Sequence, residues 1–174
     1  MNFREQLADA MRGKVVVMGI GNPCRGDDAA GSWVAQQVSG IPGASVIDAQ
    51  EVPEDYLSRA AEQKPDTILL IDAVDMKTSP GSVALLNKNQ AADYCPSTHR
   101  VPITLLAEYL EQIAHARVFV LGIQPKQTDF LEAMSAEVAS SVKGLVDVLK
   151  DAMAAHNPSA SVELTNASRE KVFA

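Results

Sequence analysis

The chain has 174 residues, a length that suits about one domain at ~150 residues per domain. Hydrophobic residues make up 47% of it, close to the globular average, which argues against intrinsic disorder and against a fibrous repeat. Fifteen Lys and Arg against 22 Asp and Glu give a formal net charge of −7, so the basic surface that binds nucleic acid or an anionic membrane is absent. We therefore expect neither a nucleic-acid partner nor a membrane partner.

The sequence gives no sign of export. No apolar run approaches the ~20 residues that a membrane-spanning helix requires. Charged side chains between Arg4 and Arg12 interrupt the apolar stretch that a secretory signal needs. Cys24 and Cys95 lie far apart, as is typical of free thiols in a reducing compartment. These features predict a cytoplasmic protein.

Predicted helices and strands alternate along the first half of the chain. Phe3, Leu7 and Met11 recur every four residues and predict a short helix that ends at Gly13. Two of the predicted strands are continuous apolar runs, as expected for strands that are buried on both faces of a parallel sheet. In chain order, the predicted elements are a helix at 3–11, a strand at 14–18, a helix at 28–38, a strand at 44–47, a helix at 54–63 and a strand at 67–71.

The second half adds two strands, two helices and a polar tail. The connection through Ser79-Pro80-Gly81 is too short for a crossover helix, so the strand after it should run antiparallel to the one before it. Pro102 suits the first position of a helix. The predicted elements are a strand at 82–86, a helix at 102–113, a strand at 117–121, a helix at 135–153 and a polar tail at 154–174.

This order of elements predicts an α/β fold, a three-layer α/β/α sandwich. Its sheet should be twisted, five-stranded and mainly parallel, with one antiparallel strand. We expect residues 1–153 to form one domain. Ligands of such sheets gather at the carboxyl ends of the strands. Polar residues occur at or near these positions: Asp27, Asp28, Asp48, Asp72, Asp75 and Gln124, with His99 in the loop before the helix at 102.

The glycine-rich turn after the first strand suggests a dinucleotide site, but its details oppose one. Gly19 and Gly21 match the first two glycines of the fingerprint, whereas Cys24 occupies the position of the third. Asp27 and Asp28 would place negative charge where a pyrophosphate meets the helix N-terminus. We therefore expect no dinucleotide.

A cysteine nucleophile is a second possibility, since Cys95 and His99 are four residues apart. Thiol activation requires a base or electropositive surroundings. The neighbourhood is acidic instead, and carboxylates raise a thiol pKa. We expect Cys24 and Cys95 to be small, semi-buried thiols.

The carboxylates together with His99 suggest a third possibility, a metal site. Two Asp oxygens and an imidazole nitrogen form an open three-ligand set that suits Ni, Zn, Mn or Fe and leaves room for substrate or water. Neither HExxH nor a CxxC pair is present, so a tightly bound resident zinc is not indicated. A loosely held or borrowed metal fits better.

Six motifs together resemble one known family. They occur in the family's order and spacing over residues 14–150, which leaves the helix at 1–13 and the tail outside the resemblance. The motifs are Met18-Gly19-Ile20-Gly21-Asn22, Gly26-Asp27-Asp28-x-x-Gly31, Leu70-Ile71-Asp72-Ala73-x-Asp75-Met76, Pro80-Gly81, Thr98-His99 and Leu121-Gly122-Ile123-Gln124-Pro125. The chain is similar to the hydrogenase maturation proteases, the endopeptidases that process the large-subunit precursor of nickel–iron hydrogenases.

The resemblance implies an activity and a site. A short C-terminal extension would be cut from the precursor after nickel insertion, and the precursor would supply that nickel. Asp28, Asp72 and His99 would contact the metal and carry the catalysis. The same resemblance assigns supporting positions around the site to Gly19, Gly21, Asn22, Asp27 and Asp75, with Asp27 shaping the turn.

Finer features are similar to the hydrogenase-3-type or coenzyme-F420 hydrogenase branch of the family. Asp28 stands where other branches place Glu, and residues 50–57 agree with this branch. The catalytic type stays open between an aspartic protease and hydrolysis assisted by the substrate's metal. Two alternatives remain: a nickel-delivery or chaperone module that binds the same precursor without cutting it, and a small-molecule hydrolase on the same fold.

Overall fold

The computed structural model describes residues 1–94 and 101–155, which contain a five-stranded sheet. The strand order is β2-β1-β3-β5-β4. Only β4 runs antiparallel, pairing with β5, while the other three pairs are parallel. This arrangement confirms the predicted sheet. The strands are β1 (Val15–Ile20), β2 (Ala44–Gln50), β3 (Thr67–Ala73), β4 (Val83–Leu86) and β5 (Arg117–Ile123).

Helices cover both faces of the sheet, so the three-layer architecture is confirmed. The first, second and last helices contribute to one apolar core, and the three between them contribute to the other. The described helices are α1 (Phe3–Ala10), α2 (Ala30–Val38), α3 (Leu57–Glu62), α4 (Lys88–Ala92), α5 (Ile103–Ala114) and α6 (Ala136–Ala155). Two 3-10 turns, Gly26–Ala29 and Pro53–Tyr56, precede α2 and α3.

Strand β1 shows why a continuous apolar run becomes a central strand. Side chains alternate between the two faces of a strand, so each face needs its own apolar partners. Val15 and Val17 belong to the core beneath α1, α2 and α6, whereas Val16 and Met18 belong to the opposite core. All six residues of β1 are buried. Each such side chain contributes roughly 1.5–3 kcal/mol of burial free energy, which holds the strand at the centre of the sheet.

The structure corrects four local predictions. The helices predicted at 28–38 and 54–63 are each split into a 3-10 turn and a shorter α-helix, Gly26–Ala29 with α2 and Pro53–Tyr56 with α3. Pro102 is the N-cap of α5 and not its first helical residue. Helix α4 was not predicted, because it is a single polar turn with one buried residue, Ala91. A capping box between Asn87 and Gln90 satisfies its first backbone donors.

Several predictions fall on residues that the structure does not describe. His99 and Cys95 lie in the segment 95–100, and residues 156–174 contain most of the predicted tail, whose first two residues are the last of α6. Within the described residues, no helix is long and apolar enough to cross a membrane. The cytoplasmic location stays a prediction.

Candidate functional site

The candidate site lies where the chain reverses its direction of travel across the sheet. From β1 the chain first adds β2 on one side and then β3 on the other. The connections that leave β1 and β3 run to opposite sides, through α2 to β2 and through a loop toward β4 and β5. They therefore leave a crevice between the carboxyl ends of β1 and β3, which is where ligands bind in open α/β sheets. Asp28 lies between β1 and α2, and Asp72 is the sixth residue of β3.

Glycines let α2 begin directly against both strand ends. A Cβ on Gly31 would lie 2.1 Å from the Ile71 carbonyl oxygen and 2.3 Å from the last carbonyl oxygen of β1. A Cβ on Gly19 would lie 2.2 Å from the Gly31 carbonyl oxygen. These distances exclude any side chain. Because Asp28 precedes Gly31 by one helical turn and Asp72 follows Ile71, the close approach brings both acids to the same crevice.

Asp28 is half-buried, and the backbone of the glycine-rich turn orients its carboxylate. The Asn22 backbone N–H donates to Asp28 Oδ2 at 3.0 Å. Gly21 has a φ of +142°, and a Cβ there would lie 1.8 Å from the Asp28 carbonyl oxygen. The turn can therefore close around Asp28 only with glycine at position 21.

The side chain of Asn22 holds the same turn and links it to the end of β2. Its Oδ1 accepts a hydrogen bond from the Cys24 N–H at 2.8 Å, and its Nδ2 donates to Glu51 Oε2 at 2.6 Å. Glu51 was not singled out as a site residue in the sequence. The available signal was its position directly after β2, at the same sheet edge as the other acids.

Asp72 is half-buried at the end of β3, and its Oδ1 accepts a hydrogen bond from the Ala73 N–H at 2.8 Å. Asp48, the fifth of the seven residues of β2, has a partner on α2: its Oδ2 accepts a hydrogen bond from Gln36 Nε2 at 2.9 Å. Asp28 and Asp72 are thus the acids at the crevice itself, whereas Asp48 joins β2 to α2.

Asp27 is fully buried, and its hydrogen bonds tie the glycine-rich turn to the segment before α6. Its Oδ2 accepts backbone hydrogen bonds from Lys126 at 2.8 Å and Gln127 at 3.1 Å. Its Oδ1 accepts from the Ser135 N–H at 2.6 Å, and the Ser135 hydroxyl donates to Oδ2 at 2.9 Å. Burial alone raises the pKa of a carboxyl, but these four donors stabilise the charged form and bring the pKa of Asp27 below its usual value.

Asp75 and Gln124 organise the turn that follows β3. Gln124 is almost fully buried; its Oε1 accepts from the Met76 N–H at 2.7 Å and its Nε2 donates to Asp75 Oδ1 at 3.2 Å. Lys77 donates from its ammonium group and its backbone to Asp75. The side-chain hydrogen bond from Lys77, followed by that from Gln124, lowers the pKa of Asp75. Asp75 therefore supports the loop that follows β3.

Of the two positions Cys24 and His99, the structure describes only the first. Cys24 carries an exposed free thiol, so the prediction that it is semi-buried is wrong. Its backbone is held on both sides, by Asn22 Oδ1 and by the Leu131 N–H, which turns the side chain outward. His99 lies outside the described residues. Within 1–94 and 101–155, no group of three or more His, Cys, Asp or Glu could hold a metal ion.

The crevice can therefore supply two carboxylates, one from the turn between β1 and α2 and one from the end of β3. Carboxylate oxygens bind divalent cations and accept protons from water, so Asp28 and Asp72 suit metal-assisted hydrolysis or general-base catalysis. Asn22 contributes a fixed backbone donor to one of these acids. The assignment of Asp28, Asp72 and His99 as catalytic and metal-contacting residues stays a prediction.

The fold is shared with a class of α/β endopeptidases of known structure. The crystal structure of a nickel–iron hydrogenase maturation protease, HycI, from Thermococcus kodakarensis has a TM-score of 0.78 at 27% identity and covers 85% of this chain and 98% of its own. The solution structure of the endopeptidase HycI from Escherichia coli has a TM-score of 0.70 at 28% identity, with 78% and 88% covered.

Sequence comparison establishes the family. The family model of the HycI hydrogenase maturation proteases matches residues 35–152, more than half of the chain. The hydrogenase 3 maturation protease of Escherichia coli K12 is 30% identical over 131 residues, which are 74% of this chain and 83% of the relative. A Methanocaldococcus jannaschii protein, named as a candidate member of the same family, is 34% identical over 159 residues, 84% and 94% of the two chains. The chain belongs to the hydrogenase maturation protease family.

Proposed function

We propose that this protein is an endopeptidase that removes the C-terminal extension of a nickel–iron hydrogenase large-subunit precursor once nickel has been inserted. Family membership supports the reaction class. The observation that supports the proposal is the close approach of α2 to the ends of β1 and β3. From this approach we infer that Asp28 and Asp72 share one crevice. The hydrogenase-3-type branch is supported by the match to the HycI model and to the hydrogenase 3 relatives.

Nickel acts here as part of the substrate. The precursor's cysteines hold the metal, and Asp28, Asp72 and His99 add ligands to it. Both acids are half-buried, Asp28 in the turn before α2 and Asp72 at the end of β3, and a backbone N–H group donates to one oxygen of each. A precursor without nickel offers nothing for these ligands to bind, so it is not positioned for cleavage. Cleavage thereby reports that metal insertion is complete.

Binding through the metal also places the scissile peptide bond. Orientation of well-placed reactants supplies ~7–11 kcal/mol of a reaction barrier. Metal bound at the crevice would supply Lewis-acid chemistry, by polarising the scissile carbonyl or lowering the pKa of an attacking water. The oxygen of Asp28 or Asp72 that is not bound to the metal would be available to accept the proton of that water.

The precursor's extended tail lies along the strand ends, between loops 50–57 and 76–80. Loop 50–57 is joined to the glycine-rich turn by the hydrogen bond between Asn22 and Glu51. Loop 76–80 is held by Gln124, whose Oε1 accepts hydrogen bonds from the backbone N–H groups of Met76 and Thr78. Crosslinkers placed in these loops should capture the precursor tail, and contacts confined to the opposite end of the sheet would reject this path.

The deciding experiment compares nickel-loaded and nickel-free precursor after incubation with the wild type and with Asp28→Asn, Asp72→Asn and His99→Ala. Mass spectrometry should show loss of a C-terminal peptide only with the wild type and loaded precursor. Asp48→Asn is the matched control, because Asp48 is a strand-end acid bonded to Gln36, and it should retain cleavage. Equal cutting of both precursors, or full activity in the Asp28 and Asp72 variants, contradicts the proposal.

The same experiment identifies the main alternative. An intact precursor mass together with transfer of nickel would show a delivery module. Hydrolysis of small molecules in the absence of a protein partner would show an unrelated hydrolase.

A further inference from the structure

The segment between β5 and α6 presents two adjacent large apolar side chains to solvent. Phe130 is 63% exposed and Leu131 is 78% exposed. Two acids, Asp129 and Glu132, flank them and are also exposed. In the part of the chain that the structure describes, neither acid forms a salt bridge. We call these four residues the 129–132 patch.

The 129–132 patch is attached to the turn that carries Asp28. The Leu131 N–H donates to the Cys24 carbonyl oxygen at 2.7 Å, and the Gly26 N–H donates to the Glu132 carbonyl oxygen at 3.1 Å. Cys24 and Gly26 lie four and two residues before Asp28. The apolar side chains are therefore presented at the rim of the candidate crevice.

Asp27 fixes both ends of the segment that carries the patch. Its carboxylate accepts hydrogen bonds from the backbone of Lys126 and Gln127 before the patch and from Ser135 after it. The Asp27 N–H in turn donates to the Gln127 carbonyl oxygen at 2.9 Å. A segment held at both ends by one buried residue keeps its exposed side chains in a defined place, so binding through them requires little further ordering.

Neither the backbone conformation nor the burial of position 131 favours a leucine there. Leu131 has a φ of +64°, a conformation that glycine and asparagine adopt readily and a leucine adopts only with strain. Its side chain, 78% exposed, gains little from burial in this fold. Strained and exposed apolar residues of this kind occur at interaction sites.

We propose that the 129–132 patch is the docking surface for the folded body of the precursor. The area of the precursor that it contacts would be apolar and flanked by basic side chains. The inference rests on the proposed function, because it takes the same precursor as the partner. Two observations support this occupant. Backbone hydrogen bonds join the patch to the turn that carries Asp28, and within the described residues its two exposed acids form no salt bridge and so are available to a basic partner surface. Phe130 and Leu131 supply apolar contact, while Asp129 and Glu132 set the charge preference.

Docking at the patch explains how a folded partner is distinguished from a free peptide. Once the body of the precursor is bound at the patch, its tail is present at a high effective concentration near the crevice. A short peptide with the cleavage sequence reaches the crevice alone. The patch therefore contributes to the affinity for the precursor and leaves the chemical step unchanged.

The test uses Phe130→Ser/Leu131→Asn, with Leu105→Ser as the matched control. Asn tolerates the positive φ at position 131, so the loop should keep its conformation, and thermal unfolding should confirm this. Leu105 is 55% exposed and belongs to α5, on the opposite face of the sheet. Binding of the nickel-loaded precursor to each immobilised variant gives Kd, and cleavage gives KM and kcat.

Loss of the two apolar contacts should raise both Kd and KM about tenfold or more, as burial of two large side chains implies. The value of kcat should stay within about twofold, and Leu105→Ser should bind like the wild type. Equal binding by wild type and double variant would overturn the docking surface. A kcat loss with unchanged Kd would overturn it as well.

Charge gives an independent readout. Asp129→Lys/Glu132→Lys should weaken binding about fivefold at low salt and less at high salt, because exposed charges are screened. Glu62→Lys, an exposed acid at the end of α3, is the control and should have no effect. An equal effect of both charge changes would contradict the proposed basic flank.

The failures of the two proposals are distinguishable. If the wild type binds the precursor without cutting it, the proposed protease function fails, while the patch is still judged by the Kd of its variants. If it cuts the precursor and the patch variants bind and cut normally, only the docking surface fails. If the wild type neither binds nor cuts the precursor, both fail.

Discussion

Two acidic turns bound the candidate crevice, one at 21–28 after β1 and one at 72–78 around the end of β3. Each contains a half-buried acid at the crevice, Asp28 or Asp72, and a second acid that accepts hydrogen bonds from another segment. In sequence the two turns look alike. In the structure their second acids differ in burial and in what they hold.

Asp27 is fully buried and receives four hydrogen bonds from the segment before α6. Asp75 is 52% exposed in its side chain, and its partners are the nearby Lys77 and Gln124. The first turn is thus fixed by a buried charge, whereas the second is fixed by a buried neutral amide, that of Gln124. Adjacent acids in one motif therefore have separate tasks, and burial decides which task each has.

The largest expected effect separates the crevice acids from the structural ones. Asp72→Asn should reduce cleavage of nickel-loaded precursor by about 10³-fold or more, equivalent to ~4 kcal/mol, because it removes a charge that interacts with the reacting group. Its free energy of unfolding should change little. Asp28→Asn should behave alike. Urea unfolding and single-turnover cleavage measure the two quantities, and a variant that cuts normally would contradict the assignment.

Asp27→Ala should produce the opposite pattern. It leaves three backbone donors and the Ser135 hydroxyl without an acceptor in a buried place. The expected loss is about 3 kcal/mol in the free energy of unfolding, from urea denaturation. The control Asp75→Ala should lose less than ~1 kcal/mol, since its charge is screened by solvent. Similar losses in both would remove the contrast between the turns.

The pH dependence of stability sharpens the same contrast. The pKa of Asp27 is lowered in the folded protein, so its charge stabilises the fold above the ordinary carboxyl value of 3.8, and this contribution is lost as the pH falls through the lowered value. The difference in unfolding free energy between wild type and Asp27→Asn should be constant from pH 7 to about 5. It should narrow below pH 3.8. Urea titrations at several pH values test this, and a gap that widens on acidification would show the reverse shift.

Gln124→Ala tests the fixation of the second turn. The Met76 N–H would lose its 2.7 Å hydrogen bond to Gln124 and keep only the one to the Val74 carbonyl oxygen at 3.0 Å. Full loss of the partners of a buried donor costs roughly 1–3 kcal/mol, so this partial loss should fall in the lower half of that range. We expect a loss of about 1.5 kcal/mol and faster hydrogen exchange at Met76. Gln36→Ala removes the partner of Asp48 outside this turn and should leave the exchange of Met76 unchanged.

The smallest effect concerns the exposed thiol. Cys24→Ser should leave cleavage within about twofold, because the backbone of Cys24 holds the turn and its side chain points outward. Cleavage by the wild type should also survive treatment with iodoacetamide, a check that needs no variant. Loss of cleavage both in Cys24→Ser and after iodoacetamide would indicate a cysteine nucleophile.

Much of the fold follows from patterns along the chain. In the strand predicted at 14–18, the apolar residues 15–18 are buried, and so is the stripe of Ala30, Val34 and Val38. The short link through Pro80 correctly predicts the antiparallel strand. Helix α4 escaped prediction because a single polar turn has no apolar periodicity, and the 3-10 turn at Pro53–Tyr56 escaped because its pattern merges with that of α3.

The sequence by itself determined the family, the alternation of helices with strands, and the presence of acids after β1 and at the end of β3. These depend on local order and on periodicity, which the chain carries in full. Only the tertiary structure decided that Asp27 is enclosed by donors from residues some hundred positions away, while Asp28 lies beside the crevice. That division arises from packing between distant segments, and no spacing between neighbouring residues encodes it.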